Sequence, residues 1–338
     1  MSSPRGTGGA VMTRVSPASR SLWRRLARRC VPTAANASFW SAIARSCARR
    51  ILAVGIRTAQ DMTTASFWQT LRVRYWTRQP FWFTDQEGVT LRLYPDDCLN
   101  TILHTKRHFD DPSLLGVMRE LLPSARVVID VGANYGQFTV FAAHRLAGRG
   151  HVHSFEPATY TFGRLSENVA RLGDLAAGVH LNRSAVGQAP GQAVLYEFPN
   201  RHSAWNSLSP HEMWAFEKRI QPCRSEDVPV VSLDQYCAEQ RIEHIDVLKI
   251  DVEGFELDVL RGCRRLVQEG RIVHLVFEIS VRPLRGAGHT ADELLGEVAA
   301  SGFDVRYIRP GGSLEPVTGA GFVVPDFGNY LATLRTAR

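Results

Sequence analysis

One segment constrains this chain more than any other: VVIDVGANYGQFTVFAAHRL, residues 127–146. A short apolar run closes on Asp130 and Val131, a turn carries Gly132 and Gly136, and a helical stretch follows over 136–147. Strand, glycine turn and helix in that order open a parallel α/β unit. The alternation then continues. HVHSFE reads as a strand, 160–172 as a helix, 179–186 as a strand and 192–198 as a further short strand. Residues 199–227 read as a long irregular stretch holding Trp205, Trp214 and Phe216. VPVV leads into Ser232, which is spaced with Gln235 as a capping box that opens a helix. DVLKID reads as a buried strand, 255–268 as a helix and RIVHLVFEIS as a strand. Thr290 and Glu293 form a second capping box for a helix to Ser301, and DVRYIRP and GFVVP are expected as closing strands. Strands alternating with helices of about 10–15 residues predict an α/β fold with a doubly wound, mostly parallel sheet.

Composition places this fold within the chain. At 338 residues, 44% apolar and 22% charged, the chain can bury a sizeable core. Eleven of its 40 basic residues lie in residues 1–60, where there is no Asp or Glu. The remaining 278 residues carry 29 basic and 33 acidic side chains, so the body gives no electrostatic reason to bind nucleic acid. Three regions are expected: a basic extension over 1–60, an aromatic-rich accessory segment over 61–100, and the α/β domain over 101–330. In the extension, Phe39, Ile43, Cys47 and Ile51 recur every four residues opposite Arg45 and Arg49. That pattern reads either as a poorly ordered tail or as a helix touching a membrane surface. Residues 66–83 are expected as an accessory helix packing onto the body, with a lid or lipid-facing patch as the alternative, and 88–95 alternates as a strand. No run approaches the roughly 18 apolar residues of a membrane span. Six scattered cysteines without CxxC or a Cys/His spacing indicate neither a disulfide framework nor a structural zinc site. A cytoplasmic setting is the expectation, with peripheral membrane contact through the basic segment as its variant.

Glu156 closes the strand after the glycine turn, where an acid can accept hydrogen bonds from the ribose of an adenosine. The dinucleotide fingerprint GxGxxG would need glycines at 132, 134 and 137; Asn134 and Gln137 stand at two of these. Asp130 repels a pyrophosphate and suits an ammonium. S-adenosylmethionine, with its ammonium, sulfonium and adenosine, therefore fits Asp130 and Glu156 better than NAD does. The bland alternative is that Asp130 caps the turn and Glu156 is a solvated strand end. In IDVLKIDVEGFELDVLRG, strand alternation puts Lys249 and Asp251 on one face, with Glu253 beside them if the strand runs on. These groups can orient a ligand or accept a proton, or they can be a buried ion pair with no catalytic part.

VVIDVGANYGQFT, HSFEP, LNRSAVG, VVSLDQYC, DVLKIDVEGFELDVLRG and LVFEIS follow one another over roughly 100–280. In this the chain resembles the FkbM family of S-adenosylmethionine-dependent methyltransferases. The resemblance implies the Rossmann-like class I methyltransferase fold, here with an N-terminal extension. It implies that Asp130 and Gly132 hold the methionine part of the cofactor, with Asn134 and Gly136 in the same loop. It places Glu156 at the ribose, Ser184 and Ala185 at the adenine, and Asp251 near the methyl donor. Family members commonly methylate hydroxyls on sugars or natural products, which implies a small-molecule or carbohydrate acceptor.

The expected catalytic groups are Asp251, Glu253 and Lys249, with Glu278 of LVFEIS behind them. The carboxylates could instead hold a divalent metal, although no spacing demands one. His153 and His274 read as packed strand residues, and no metal ligand is assigned. DVEG stands where amino-methylating enzymes of nucleic-acid bases carry NPPY or DPPY. Pro222–Cys223 lies in the wrong place for a cytosine C5 nucleophile, so no nucleic-acid substrate is expected. The stretch 199–227 is the expected acceptor-binding loop. Two other classes stay open: an NAD-dependent oxidoreductase, which would bind NADH, and a non-catalytic docking protein, which would not turn over S-adenosylmethionine.

Overall fold

The computed structural model describes residues 79–335, apart from 86, 95, 98–111, 211, 212, 216, 217 and 318–321. The expected basic extension over 1–60 and the accessory helix as far as residue 78 lie outside the described residues.

The described chain opens with a hairpin, β1 (Phe81–Thr84) and β2 (Thr90–Leu93), followed by helix α1 (Pro112–Leu121). The first α/β units are β3 (Val127–Val131), α2 (Gln137–Leu146), β4 (His151–Phe155), α3 (Thr159–Ala170) and β5 (Val179–Asn182). A smaller group follows: β6 (Ala185–Val186), β7 (Gly191–Glu197), β8 (Met213–Ala215), β9 (Lys218–Ile220) and β10 (Arg224–Val231). Then come α4 (Leu233–Glu239), β11 (Ile245–Ile250), α5 (Glu256–Gly262), α6 (Arg264–Gln268) and β12 (Ile272–Ser280). The chain closes with α7 (Val281–Gly286), α8 (Ala291–Ala300), β13 (Phe303–Ile308), β14 (Leu314–Pro316) and β15 (Phe327–Leu334).

The main sheet has the order β14-β13-β15-β12-β11-β3-β4-β5. The run β12-β11-β3-β4-β5 is parallel, and β15 runs antiparallel between β12 and β13. Four of the five β3 residues are buried, as a strand covered on both faces requires. Neighbouring residues divide between the two faces. Val128, Val247 and Val276 join one apolar cluster with Phe141 of α2, and Ile129, Leu248 and Leu275 join another with Leu257 and Val298. Phe83, Leu91 and Leu93 of the hairpin belong to the first cluster, so packing is continuous from the hairpin into the domain. From β3 the chain moves out to β4 and β5, then returns to β11 on the other side. The gap between the carboxyl ends of β3 and β11 is therefore the switch point where such sheets bind ligands.

Six expectations need correction. The single strand over 179–186 is two: β5 joins the main sheet, while β6 pairs with β10 in a three-stranded sheet β6-β10-β7. The irregular stretch over 199–227 contains a turn of 3₁₀ helix (Asn200–Trp205), the β8–β9 hairpin and the start of β10. The polar RSED opening of β10 was unreadable as strand because it lies on a largely solvent-facing edge. The helix over 255–268 breaks at Cys263, whose φ −117 and ψ 24 are not helical. GFVVP is not the closing strand; β15 is, beginning at Phe327. Phe81–Phe83, expected as the end of the accessory helix, belong to β1, which pairs with β2. Thr290 and Glu293 cap α8 reciprocally, whereas Ser232 accepts from Gln235 N without the return bond. Among the described residues no helix is long and apolar enough to cross a membrane.

Candidate active site

The turn after β3 is built against its neighbours through the backbone. Gly132 N and Ala133 N donate to Phe155 O at 3.0 and 2.9 Å, and Asp251 N donates to Val131 O at 3.0 Å. Gly132 has φ +82, and a Cβ there would lie 1.7 Å from Asp251 O. Only glycine lets the β3 turn and the end of β11 approach this closely. Asn134, at φ 51, donates its N–H to Glu156 Oε2 at 2.8 Å. Gly136 has φ 90 and precedes α2, and its position serves packing against Leu165 rather than the cavity.

Glu156 is the most firmly held acid of the site. Its Oε1 accepts from Ala158 N at 3.0 Å and Thr161 Oγ1 at 2.6 Å, in addition to the Asn134 bond on Oε2. Three of a carboxylate's roughly four acceptor positions are therefore used, and one remains for a ligand. Burial raises its pKa to about 7, against the lowering effect of those three donors.

Asp130 does not face the cavity. It is fully buried, takes a hydrogen bond from Thr139 Oγ1 at 2.7 Å and pairs with Lys249 Nζ at 3.3 Å. This corrects its expected contact with the cofactor: β3 and β11 are in register with Lys249 opposite Asp130, so the acid is spent on the lysine. Lys249 also pairs with Asp251 Oδ2 at 3.2 Å. Burial pulls the Lys249 pKa down, but the Asp251 and Asp130 charges outweigh it and hold it above the usual lysine value. Lys249 is thus held between two carboxylates, in the buried ion pair that the sequence offers as the alternative to a catalytic part.

The turn after β11 gathers acids. Glu253 sits in the left-handed region at φ 52, and one carboxylate oxygen each of Asp251, Glu253 and Glu278 lie within 4.8 Å of one another. Burial, then the charge of Asp251, then that of Glu256 push the Glu253 pKa well above the usual range. Glu278 shifts the same way, through burial and then Asp251, Glu253 and Glu256. Glu256 is buried, accepts from Val252 N and Gly254 N at 3.3 and 3.1 Å, and has its pKa raised by burial to about 7.

A cavity of about 500 Å³ runs along these strand ends. Glu156, Ser184 and Ala185 line it on the β4–β5 side, Gly132 and Asn134 at the switch point, and Lys249, Asp251, Glu253 and Glu278 on the β11–β12 side. Of the residues expected from sequence, only Asp130 and Gly136 are absent from its wall. Trp205 lines it and stacks on His202 at 4.4 Å, while the side chain of Trp214 and all of Phe216 lie outside the described residues. Sequence reading missed Ser207, which donates to Glu253 O at 2.8 Å, and Asn329, which faces Glu278 in the β12–β15 register. No local motif marks either residue; only strand pairing and loop closure bring them in. Leu114 and Phe327 add apolar wall.

Residues 130–305 match the model of the methyltransferase FkbM domain. Methyltransferase sdnD of Sordaria araneosa is 32% identical over 162 residues, 42% of this chain and 61% of that protein. The 31-O-demethyl-FK506 methyltransferase FkbM of Streptomyces tacrolimicus is 31% identical over 194 residues, 52% of this chain and 69% of that protein. The hexuronic acid methyltransferase AglP of Haloferax volcanii is 27% identical over 172 residues, 49% of this chain and 63% of its own. The chain thus spans about three fifths of the length of several of these relatives. A crystal structure of methyltransferase FkbM from Methylobacillus flagellatus superposes with a TM-score of 0.40 at 16% identity, covering 62% of this chain and 44% of that one. So loose a likeness adds nothing to the topology described above. The domain match covers half the chain and begins at Asp130, and the oxidoreductase alternative falls with it: the chain belongs to the FkbM methyltransferase family.

Proposed function

We propose that this chain transfers a methyl group from S-adenosylmethionine to a hydroxyl of a carbohydrate or other small-molecule acceptor. The observation that carries this is one cavity at the switch point, with a ribose-type acid at one end and a carboxylate cluster at the other. Its volume lies in the range of ordinary ligand sites. The residues fit the cofactor: Gly132 leaves the backbone bare, and Glu156 keeps one acceptor position free. Bound S-adenosylmethionine supplies a methyl on a sulfonium, open to in-line displacement by an oxygen nucleophile.

The rest is done by the chain. Glu156 accepts a hydrogen bond from a ribose hydroxyl, and Ser184 and Ala185 border the base. Lys249 fixes Asp251 at the mouth of the β3–β11 gap. Asp251 and Glu253, with Glu278, accept the hydrogen bond of the acceptor hydroxyl and hold its oxygen in line, and positioning of this kind supplies much of the rate. The name of the Streptomyces relative, a 31-O-demethyl-FK506 methyltransferase, supports oxygen as the target atom, and that of the Haloferax relative, a hexuronic acid methyltransferase, supports a carbohydrate acceptor.

The test is incubation of the full chain with methyl-labelled S-adenosylmethionine and two acceptors, a hexuronic acid and 31-O-demethyl-FK506. The expected result is label in a methyl ether, with one S-adenosylhomocysteine formed per methyl. Label on nitrogen or carbon, or no binding of S-adenosylmethionine by the folded protein, contradicts the reading.

A further inference from the structure

At the β11–β12 end of the cavity the carboxyls of Asp251, Glu253 and Glu278 converge, and the Lys249 ammonium beside them is already shared between Asp130 and Asp251. We propose that Asp251, Glu253 and Glu278 form a divalent-cation site at the acceptor end of the cavity, for Mg²⁺ or Mn²⁺.

The geometry suits such an ion. The three donor oxygens lie within 4.8 Å of one another. Around Mg²⁺ at roughly 2.1 Å adjacent ligands stand about 3 Å apart and opposed ones about 4.2 Å, so the triangle must draw in to close on one ion. The donors come from the end of β11, the turn behind it and β12, so paired strands hold two sides of the triangle. Lys249 bonds Oδ2 of Asp251, which leaves Oδ1 for the ion. An all-carboxylate set selects hard cations over zinc or copper.

A second observation points the same way. Glu253 Oε2 and Glu256 Oε2 each expose less than 1 Å² and have no hydrogen-bond partner. Glu256 as a whole is only 2% exposed. Buried polar atoms normally have partners, and orphaned ones are costly. Glu253 belongs to the triangle itself, and a bound cation would satisfy its orphaned oxygen. Glu256 braces the turn through Val252 N and Gly254 N, so it supports the site from behind.

Use of the ion in methyl transfer rests on the function proposed above, though its binding does not. Placed there, it would bind the acceptor hydroxyl oxygen and make it more acidic. The hydroxyl proton would leave to a free carboxylate oxygen of the cluster, the oxygen–methyl bond would form, and the carbon–sulfur electrons would stay on sulfur.

The experiment is titration of the EDTA-treated full chain with Mn²⁺, with free Mn²⁺ followed by electron paramagnetic resonance and no cofactor added. The wild type is expected to bind one Mn²⁺ per chain, displaceable by Mg²⁺. Glu278→Gln and Glu253→Gln, shown folded by near-ultraviolet circular dichroism, are expected to weaken it more than about tenfold. No Mn²⁺ bound by the folded wild type at millimolar concentration, or binding unchanged in both variants, overturns the proposal. Calorimetry with S-adenosylmethionine on the same samples separates the two readings. Cofactor binding without Mn²⁺ sinks only the cation site, and Mn²⁺ binding without the cofactor sinks only the methyltransferase reading.

Discussion

Gly132→Ala is a sharp test of how the site is assembled, because the structure supplies its own control. Gly132 and Gly88 share a φ of +82. An alanine there costs about 1–2 kcal/mol in either place, since Cβ crowds the following carbonyl. At Gly88 nothing lies within 4 Å of the added carbon, so the cost stops there. At Gly132 the carbon meets Asp251 O at 1.7 Å and Asp251 C at 2.7 Å, both backbone atoms at the end of a buried strand. Relieving that overlap means parting β3 from β11, with about 1–3 kcal/mol of overpacking and about 1 kcal/mol for the Asp251 N to Val131 O bond. Gly132→Ala should therefore cost about 3–6 kcal/mol against about 1–2 kcal/mol for Gly88→Ala. At roughly 3 °C per kcal/mol for a domain of this size, calorimetric scans of the full chain should show drops of about 9–18 °C and about 3–6 °C. S-adenosylmethionine binding should vanish only in the Gly132 variant. Equal drops, or normal cofactor affinity in Gly132→Ala, would refute the close-approach argument.

Glu156 should make the protein pH-sensitive in two opposite ways. Its folded pKa of about 7 lies above the unfolded 4.5, so the native state binds the proton more tightly and unliganded stability should fall as pH rises from about 4.5 to 7. The Glu156 share of the fall is on the order of 3 kcal/mol, and Glu156→Gln should lessen the slope by that share in urea titrations at several pH values, leaving the part due to Glu253, Glu256 and Glu278. Cofactor affinity should instead rise as pH passes through about 7, because the ionised carboxylate is the stronger acceptor; an affinity that falls over that range contradicts the assigned role. Lys249→Met leaves fully buried Asp130 without its cation and should cost about 3–5 kcal/mol by urea unfolding, with Asp130→Asn in the same chain restoring much of it. Trp205→Ala should raise the acceptor KM while leaving S-adenosylmethionine affinity within about twofold, as its ring lines the cavity on a loop; loss of cofactor binding alone would move the acceptor to another wall.

Local features of the fold could be read because local chemistry determines them. The run VVIDV, the glycines at 132 and 136 and the capping box at Thr290 each carry their meaning within a few residues. Features that depend on register could not be read this way. Asp130 looked like a ligand-facing charge until pairing set it opposite Lys249. Ser184 and Ala185 line the cavity, but the single strand expected to hold them is two, because the chain changes sheets between Asn182 and Ala185. The acids of DVEG were visible as a local cluster. Their meeting with Glu278 and Asn329 depends on β12 and β15, whose places in the sheet no motif announces.

The central claim is that the cavity between Glu156 and Asp251 binds S-adenosylmethionine. Isothermal calorimetry of the full chain tests it most directly, with NADH as the rival ligand and Glu156→Ala as the site variant. The account predicts one-to-one binding of S-adenosylmethionine, at least tenfold weaker in the variant, and no heat from NADH. Silence with S-adenosylmethionine in a protein shown to be folded, or undiminished binding in Glu156→Ala, would contradict it.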